Sequence, residues 1–170
     1  MAVARRQPPA TFAAAHDHRR CVEGALDKAA ALCTARGARL TALRRRVLEL
    51  VWSSHEPVGA YAVLERLRRE RRGSAPPTVY RALDFLLRQG LIHRIESLNA
   101  FVGCARPERR HGSQFLICTS CGDAAEIDDP RIGATLRRRA AAAGFAIDRL
   151  TVELQGVCPR CGGEERGHAG

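Results

Sequence analysis

Residues 76–104 read PPTVYRALDFLLRQGLIHRIESLNAFVGC and contain the pattern that decides the fold. Apolar residues at helical spacing predict a helix over residues 76–89 with one buried face. That face comprises Val79, Ala82, Leu83, Leu86 and Leu87. Arg81 and Arg88 then point away from the core, and Gly90 ends the helix. The runs LIHRIE and AFVGC, joined by SLN, predict a β-hairpin directly after it.

Three more helical segments precede this pattern. We predict helices over residues 22–36, about 41–53 and 59–73, and Thr41 can cap the second of them. Helices followed by a two-stranded hairpin are typical of a winged helix-turn-helix. Residues 76–89 would be its recognition helix.

The rest of the chain predicts a second, smaller unit of the α/β type. After the polar linker ARPERRHGS, we predict two short strands, a helix and a longer strand, at residues 114–118, 123–127, about 130–143 and 145–155. The fold class is therefore α+β. The predicted regions are a flexible tail (1–21), a winged-helix domain (22–104), a hinge linker (105–113), an α/β domain with cysteine pairs (114–163) and a C-terminal tail (164–170).

Positive charge is concentrated in the winged-helix region. The 170-residue chain has a formal net charge of +10. Residues 36–95 contain thirteen arginines and five acidic residues, whereas residues 114–162 contain six of each. This asymmetry indicates a polyanionic partner such as DNA, although arginine runs can also be plain solvated faces. With no long apolar run and no secretory signal pattern, we expect a cytoplasmic protein without a membrane span.

Four of the seven cysteines form two C-x-x-C-G motifs, separated by 36 residues. They are Cys118, Cys121, Cys158 and Cys161. A two-residue spacer lets both thiolates face one ion, and a closed set of four thiolates suits structural, tetrahedral zinc. The alternative is a redox pair, which requires one C-x-x-C at a strand–helix junction rather than two such motifs. We therefore predict a structural zinc site.

A second candidate metal site lies near the junction of the two units. His93 is in the first hairpin strand, Cys104 ends the second, His111 is in the linker and Glu126 follows the first cysteine pair. Such a mixed ligand set can bind zinc with an affinity that is easily tuned. Taken singly, each residue also has an ordinary role in a strand, a core or a surface. The sequence leaves open a third site near the N-terminus, with these candidates: His16, His18, Cys21 and Cys33.

Four stretches resemble the ferric uptake regulator superfamily and, within it, the zinc uptake regulator branch. They are PPTVYRALDFLLRQGLIHRIES, FVGC, HGSQFLICTSCGDAAE and CPRC, and the likeness covers about residues 24–162. The resemblance implies a homodimeric, metal-dependent repressor with a C-terminal dimerisation domain. Iron- and peroxide-sensing branches usually carry a histidine-rich stretch before the first cysteine pair. Here RRHGSQ has one histidine, which favours zinc over iron.

The resemblance also implies roles for individual residues. The cysteine pairs would hold structural zinc, and His93, Cys104, His111 and Glu126 would hold regulatory zinc, which makes two zinc ions per subunit. The residues expected to contact DNA are Tyr61, Thr78, Tyr80, Arg81 and Arg44. Glu65 and Arg68 match positions that can pair between neighbouring dimers on one operator, and the alternative for both is ordinary surface charge.

We therefore expect a repressor of zinc-uptake genes that binds an AT-rich inverted repeat, with zinc as corepressor at the hinge. Dimers would act alone or in adjacent pairs. One alternative is an iron or peroxide sensor with the same fold. Another is a zinc enzyme with Glu126 as general base. We do not expect an enzyme, since Val157 stands where the zinc-deaminase motif needs proline and a four-ligand site has no open position.

Overall fold

The structure is a computed structural model that describes residue 12 and residues 18–54, 56–70, 75–109 and 113–165. The helices within this part of the chain are α1 (His18–Ala35), α2 (Ala42–Val51), α3 (Ala60–Glu70), α4 (Pro76–Arg88), α5 (Pro130–Ala142) and α6 (Pro159–Glu165). The strands are β1 (Val58–Gly59), β2 (Ile92–Ile95), β3 (Ala100–Gly103), β4 (Ser113–Cys118), β5 (Ala124–Ile127) and β6 (Thr151–Gly156). Among the described helices, none is long and apolar enough to span a membrane.

Helices α1 to α4 enclose the larger hydrophobic core. The buried residues of α4 are Val79, Ala82, Leu83, Phe85 and Leu86. The predicted face of this helix is therefore confirmed, except that Phe85 is buried and Leu87 is only partly buried. Arg81 and Arg88 are exposed, as predicted. Thr41 caps α2, because its hydroxyl oxygen accepts a hydrogen bond of 3.4 Å from the backbone N–H of Arg44.

The predicted hairpin is present and forms a wing beside the helices. Strands β2 and β3 pair antiparallel, and the short β1 pairs with the other edge of β3. The turn at residues 96–99 contains Asn99 with φ 46°, a left-handed conformation that asparagine tolerates. At Gly103 a Cβ atom would overlap the indole of Trp52, so glycine lets β3 lie directly against the C-terminal end of α2.

The C-terminal unit is a three-stranded sheet in the order β5-β4-β6. Strand β4 is antiparallel to β5 and parallel to β6, and α5 lies between β5 and β6 along the chain. Its small core consists of Phe115 and Ile117 together with Ile95 from the wing. Because Ile95 and Phe115 are both fully buried, the wing packs against this sheet rather than projecting alone into solvent.

The structure corrects the bounds of two predicted elements and adds two short elements. Helix α1 begins at His18, so residues 18–21 of the predicted tail are helical. The last strand is Thr151–Gly156 rather than 145–155. It pairs with β4 only from Thr151, opposite Ser113, and the preceding Gly144 has φ +69° and ends α5. Strand β1 and helix α6 were not predicted, since two residues of strand and seven residues of helix that include two glycines carry no clear periodicity.

Candidate metal centres and nucleic-acid interface

The parallel pairing of β4 with β6 brings the two cysteine pairs together at one end of the sheet. Cys118, the last residue of β4, lies opposite Gly156, the last residue of β6. Cys121 follows in the turn after β4, and Cys158 and Cys161 follow β6. The four Sγ atoms lie within 4.8 Å of one another. We call these four residues the tetracysteine cluster.

Backbone donors surround the sulfur atoms of this cluster. The backbone N–H of Cys158 donates to Cys118 Sγ at 3.3 Å. Hydrogen bonds from the backbone N–H groups of Cys121 and Cys158 lower the pKa of the Cys118 thiol to about 6. Arg160 donates from Nη2 to Cys121 Sγ at 3.4 Å and to Asp123 at 2.6 Å. Hydrogen bonding to the neighbouring sulfurs, first of all that of Cys158, raises the pKa of the Cys161 thiol to about 12. The cluster therefore contains one cysteine that favours the thiolate, the form that binds metal, and one that must lose a proton to become it.

The sulfur spacing agrees with a tetrahedral zinc site. Four sulfur atoms about 2.3 Å from one zinc ion would lie about 3.8 Å apart, and Cys121 Sγ and Cys158 Sγ are 3.9 Å apart. Cys118 and Cys158 are buried, whereas Cys121 and Cys161 are partly exposed. Gly122 has φ +78°, which permits the tight turn that directs both sulfurs of the first pair inward.

A second cluster joins the wing to the C-terminal sheet, and we call it the hinge cluster. It consists of His93 from β2, Cys104 directly after β3, and Glu126 from β5. One ligand atom from each of the three lies within 4.8 Å of the others. His93 Nε2 is 2.9 Å from Glu126 Oε1, and both side chains are 12% exposed. The predicted fourth ligand, His111, lies outside the described residues.

The surroundings of the hinge cluster orient its histidine. The Ser113 hydroxyl is 3.0 Å from His93 Nδ1, so that Nε2 faces Glu126 and Cys104. The His93 ring meets Phe115 edge-on, with centroids 5.6 Å apart. Metal-binding histidines usually make such a hydrogen bond through their other ring nitrogen. No sequence signal indicated Ser113, because the contact joins residues 20 positions apart.

Cys104 differs from Cys118 in its protonation. Burial, and next the negative charge of Glu126, raise the pKa of the Cys104 thiol to about 12. A nitrogen, a sulfur and a carboxylate oxygen that converge in this way form a donor set that suits zinc. Zinc binding there would require the thiol to lose its proton.

Two other contacts connect the wing and linker to their neighbours. Glu153 of β6 accepts hydrogen bonds from the backbone N–H groups of Glu96 and Ser97, at 2.7 and 3.2 Å. Burial raises the pKa of Glu153, but the hydrogen bonds from Ser97 and from the Glu96 backbone outweigh it and the pKa is lowered. Arg36, directly after α1, donates to the carbonyl oxygens of Gln89 and Pro107, at 2.5 and 3.0 Å. Sequence reasoning found neither contact.

Four of the five residues predicted to contact DNA lie in the N-terminal halves of α3 and α4, and the fifth, Arg44, lies in α2. Tyr61 and Tyr80 are 74% and 46% exposed, which is unusual for large aromatic side chains, and both line one shallow pocket. Thr78 and Arg81 are exposed and line a neighbouring groove of about 240 Å³. Arg44 lines the same groove, and its guanidinium lies 3.6 Å from the centroid of the Phe85 ring.

The remaining candidates have local contacts or lie outside the described part. Arg68 and Glu65 form an ion pair of 3.0 Å within α3, one turn apart. Cys33 is buried in the larger core, where desolvation raises the pKa of its thiol. His16 lies outside the described residues, and so does the side chain of His18. Within the described residues, the tetracysteine and hinge clusters are the two groups that could hold a metal ion.

Comparison with known sequences finds one family. The model of the Ferric uptake regulator family matches residues 35–155. The zinc uptake regulation protein of Escherichia coli (strain K12) is 38% identical over 137 residues, which cover 80% of this chain and 80% of that protein. The zinc uptake regulation protein of Mycobacterium tuberculosis (strain ATCC 25618 / H37Rv) is 28% identical over 131 residues, which cover 75% of this chain and 98% of that protein.

Comparison with solved structures gives the same result. A zinc uptake regulator complexed with zinc and DNA superposes with a TM-score of 0.81 at 36% identity, covering 85% of this chain and 97% of that one. The crystal structure of holo XcZur superposes with a TM-score of 0.76 at 42% identity, covering 81% of this chain and 96% of that one.

Proposed function

Because the chain belongs to the ferric uptake regulator family, we propose that it is a zinc-responsive transcriptional repressor of zinc-uptake genes. One observation carries the proposal. The hinge cluster takes two ligand residues from the wing of a basic winged-helix unit, His93 and Cys104, and a third, Glu126, from the C-terminal sheet. Side chains placed in this way make the relative position of the two units depend on whether they share an ion.

The proposal assigns different roles to the two clusters, with two zinc ions per subunit. The tetracysteine cluster would be structural, because four cysteine sulfurs surround one point and no position is left for a substrate or a water molecule. The hinge cluster would be regulatory, with His111 of the linker as its fourth ligand. Zinc bound there would supply the positive charge that holds a carboxylate, a thiolate and imidazoles together.

The protein's own side chains then define the response. In the metal-free state Cys104 is a neutral thiol beside Glu126, so loading the hinge cluster exchanges a proton for a metal ion. When His93, Cys104 and Glu126 bind the same zinc ion, β2 and β3 are held against β5 and the wing is fixed. If this arrangement is the one that binds operator DNA, then DNA and zinc must each strengthen the binding of the other.

The proposed DNA surface consists of the exposed residues at the start of α3 and α4. Arg81 extends from α4 into solvent and suits a base-edge or phosphate contact. The exposed rings of Tyr61 and Tyr80 offer apolar contact to thymine methyl groups, which agrees with the expected AT-rich operator. Thr78 and Arg44 line the adjoining groove and suit phosphate contacts.

We propose that the chain acts as a homodimer through its C-terminal sheet. Strand β6 is an edge strand, because it pairs with β4 on one side only among the described strands. Leu154 in this strand and Val157 beside it are exposed, as are Leu136 and Phe145 near α5. An edge strand flanked by exposed apolar residues is a typical site of subunit association. Glu65 and Arg68, which pair with each other within α3, would exchange this contact for pairing between dimers on adjacent sites.

One experiment tests the proposed function. Metal content per subunit and binding to an AT-rich inverted repeat would be measured while free zinc is buffered over several decades. We expect one zinc per subunit at the lowest free zinc, and DNA binding that appears as a second zinc loads. DNA binding that ignored zinc, or that followed Fe(II) or peroxide, would contradict the assignment as a zinc sensor and leave the fold unchanged.

A further inference from the structure

The contact between Glu153 and the turn of the wing involves none of the residues of the two metal clusters. The two carboxylate oxygens of Glu153 each accept one hydrogen bond, from the backbone N–H groups of Glu96 and Ser97 respectively. The same turn has a second partner, since Arg149 donates from Nη1 to the Glu96 carboxylate at 2.9 Å. Glu153 and Arg149 both belong to the C-terminal unit, at or just before β6.

The contact and the hinge cluster hold opposite ends of one hairpin. His93 and Cys104 are near the base of the wing, whereas Glu96 and Ser97 are at its turn. A strand advances about 3.3 Å per residue, so His93 in β2 and Glu96 directly after it are about 10 Å apart along the strand direction. The apolar contact of Ile95 with Phe115 lies between the two ends, and it is non-directional. Hydrogen bonds to the turn add the directional restraint that the apolar contact lacks.

We propose that Glu153 is a positioning residue for the zinc response, which rests on the function proposed above. It holds the wing turn against β6 in the metal-free protein, so that His93 and Cys104 already face Glu126 before zinc binds. The apparent affinity of a site is its intrinsic affinity multiplied by the fraction of molecules that are competent to bind. Loss of Glu153 therefore lowers the apparent zinc affinity without removing any ligand.

The nature of the contact supports a positioning role. A carboxylate that accepts two successive backbone N–H groups makes charge-assisted hydrogen bonds, which are about twice as strong as neutral ones. Residues 96–99 are all exposed, so water would satisfy the turn equally well in a detached wing. The wing turn therefore does not need Glu153 in order to form. What Glu153 determines is where the turn lies.

The first test uses amide hydrogen exchange on the full-length protein with only its tightly held zinc. We expect Glu153→Ala to speed exchange at the Glu96 and Ser97 amides by about tenfold or more, since both lose their acceptor. Glu153→Gln keeps one acceptor oxygen, so its exchange rates at these amides should lie between those of the wild type and those of Glu153→Ala. Asp148→Ala is the matched control, because it removes an exposed acidic residue five positions away. If these amides exchange at the wild-type rate in Glu153→Ala, the proposal is overturned.

The second test measures the free zinc concentration at half-maximal operator binding. We expect Glu153→Ala to raise this midpoint about three- to tenfold, while DNA affinity at saturating zinc and the content of tightly held zinc stay at wild-type values. A merely structural defect would lower the plateau instead. If the wild type responds to zinc and the variant shares its midpoint, the inference fails and the proposed function stands. If wild-type DNA binding ignores zinc, the proposed function and the zinc role of Glu153 fail together, and amide exchange still decides whether Glu153 holds the wing.

Discussion

The tetracysteine cluster and the hinge cluster both converge on a single point, yet their chemistry differs. In the first, backbone N–H groups lower the pKa of Cys118 to about 6. In the second, burial and the charge of Glu126 raise the pKa of Cys104 to about 12. All residues of the first cluster come from one sheet end, whereas those of the second come from two units. Four sulfur donors within one unit suit permanent zinc, and a mixed set of nitrogen, sulfur and oxygen donors from two units suits reversible zinc.

The largest expected effect is the loss of the tetracysteine cluster. We expect Cys158→Ser to lose tightly held zinc and to lack a cooperative unfolding transition for the C-terminal unit. The small core there gives little support without a metal that contributes about 10–16 kcal/mol in comparable zinc domains. Zinc content after chelator treatment and circular dichroism melting would show this. Cys21→Ser is the control, a thiol in α1 outside both clusters. A folded, zinc-free Cys158→Ser protein would show that the cluster is dispensable.

The next effect separates the two clusters. Cys104→Ser should keep one zinc per subunit and the dimer, yet need more than about 100-fold more zinc for operator binding. Even a group that only hydrogen-bonds to a ligand is worth about 10- to 100-fold in metal affinity. Equilibrium sedimentation and DNA binding at buffered zinc would measure both properties. An undiminished zinc response in this variant would show that Cys104 is not a ligand of the regulatory zinc.

A change of pH should alter zinc binding at the hinge cluster. Because the Cys104 thiol is protonated at neutral pH, each zinc that it binds must release a proton. Zinc affinity of the hinge cluster should then rise about tenfold per unit increase in pH around neutrality. In the tetracysteine cluster, Cys118 is already largely deprotonated above its pKa of about 6, whereas Cys161, whose pKa is raised to about 12, must also release a proton on binding zinc. Competition with a chromophoric chelator at several pH values would test this, and a flat profile for the hinge cluster would contradict it.

The smallest effect concerns the hydrogen bond that orients His93. We expect Ser113→Ala to weaken zinc binding at the hinge cluster by about tenfold, since the ring loses the partner of Nδ1. Ser113→Thr keeps a hydroxyl and should restore most of the affinity. Titration calorimetry of protein with only its tightly held zinc would compare the three proteins. Equal affinities would mean that the packing of Phe115 alone orients the ring.

The sequence predicted those parts that depend on spacing along the chain. The i, i+3, i+4 pattern of α4 and the two C-x-x-C motifs are local, and both led to correct structural expectations. Membership of the hinge cluster was suggested first by residues near the junction of the two units and then by resemblance, and the structure brings His93, Cys104 and Glu126 together. Contacts such as Ser113 with His93 or Glu153 with Glu96 join distant residues of ordinary type. No periodicity reports them, because they arise only once the sheets pack.

The close approach of Gly103 to Trp52 has a practical consequence. Trp52 is the single tryptophan of the chain, and its ring lies against the residue that precedes Cys104. Its fluorescence therefore reports on the local environment of the hinge cluster without any attached label. A zinc titration followed by tryptophan emission would give the occupancy of that cluster in the absence of DNA, and Cys104→Ser would supply the blank. The molecule thus contains its own optical probe at the position where metal and wing meet.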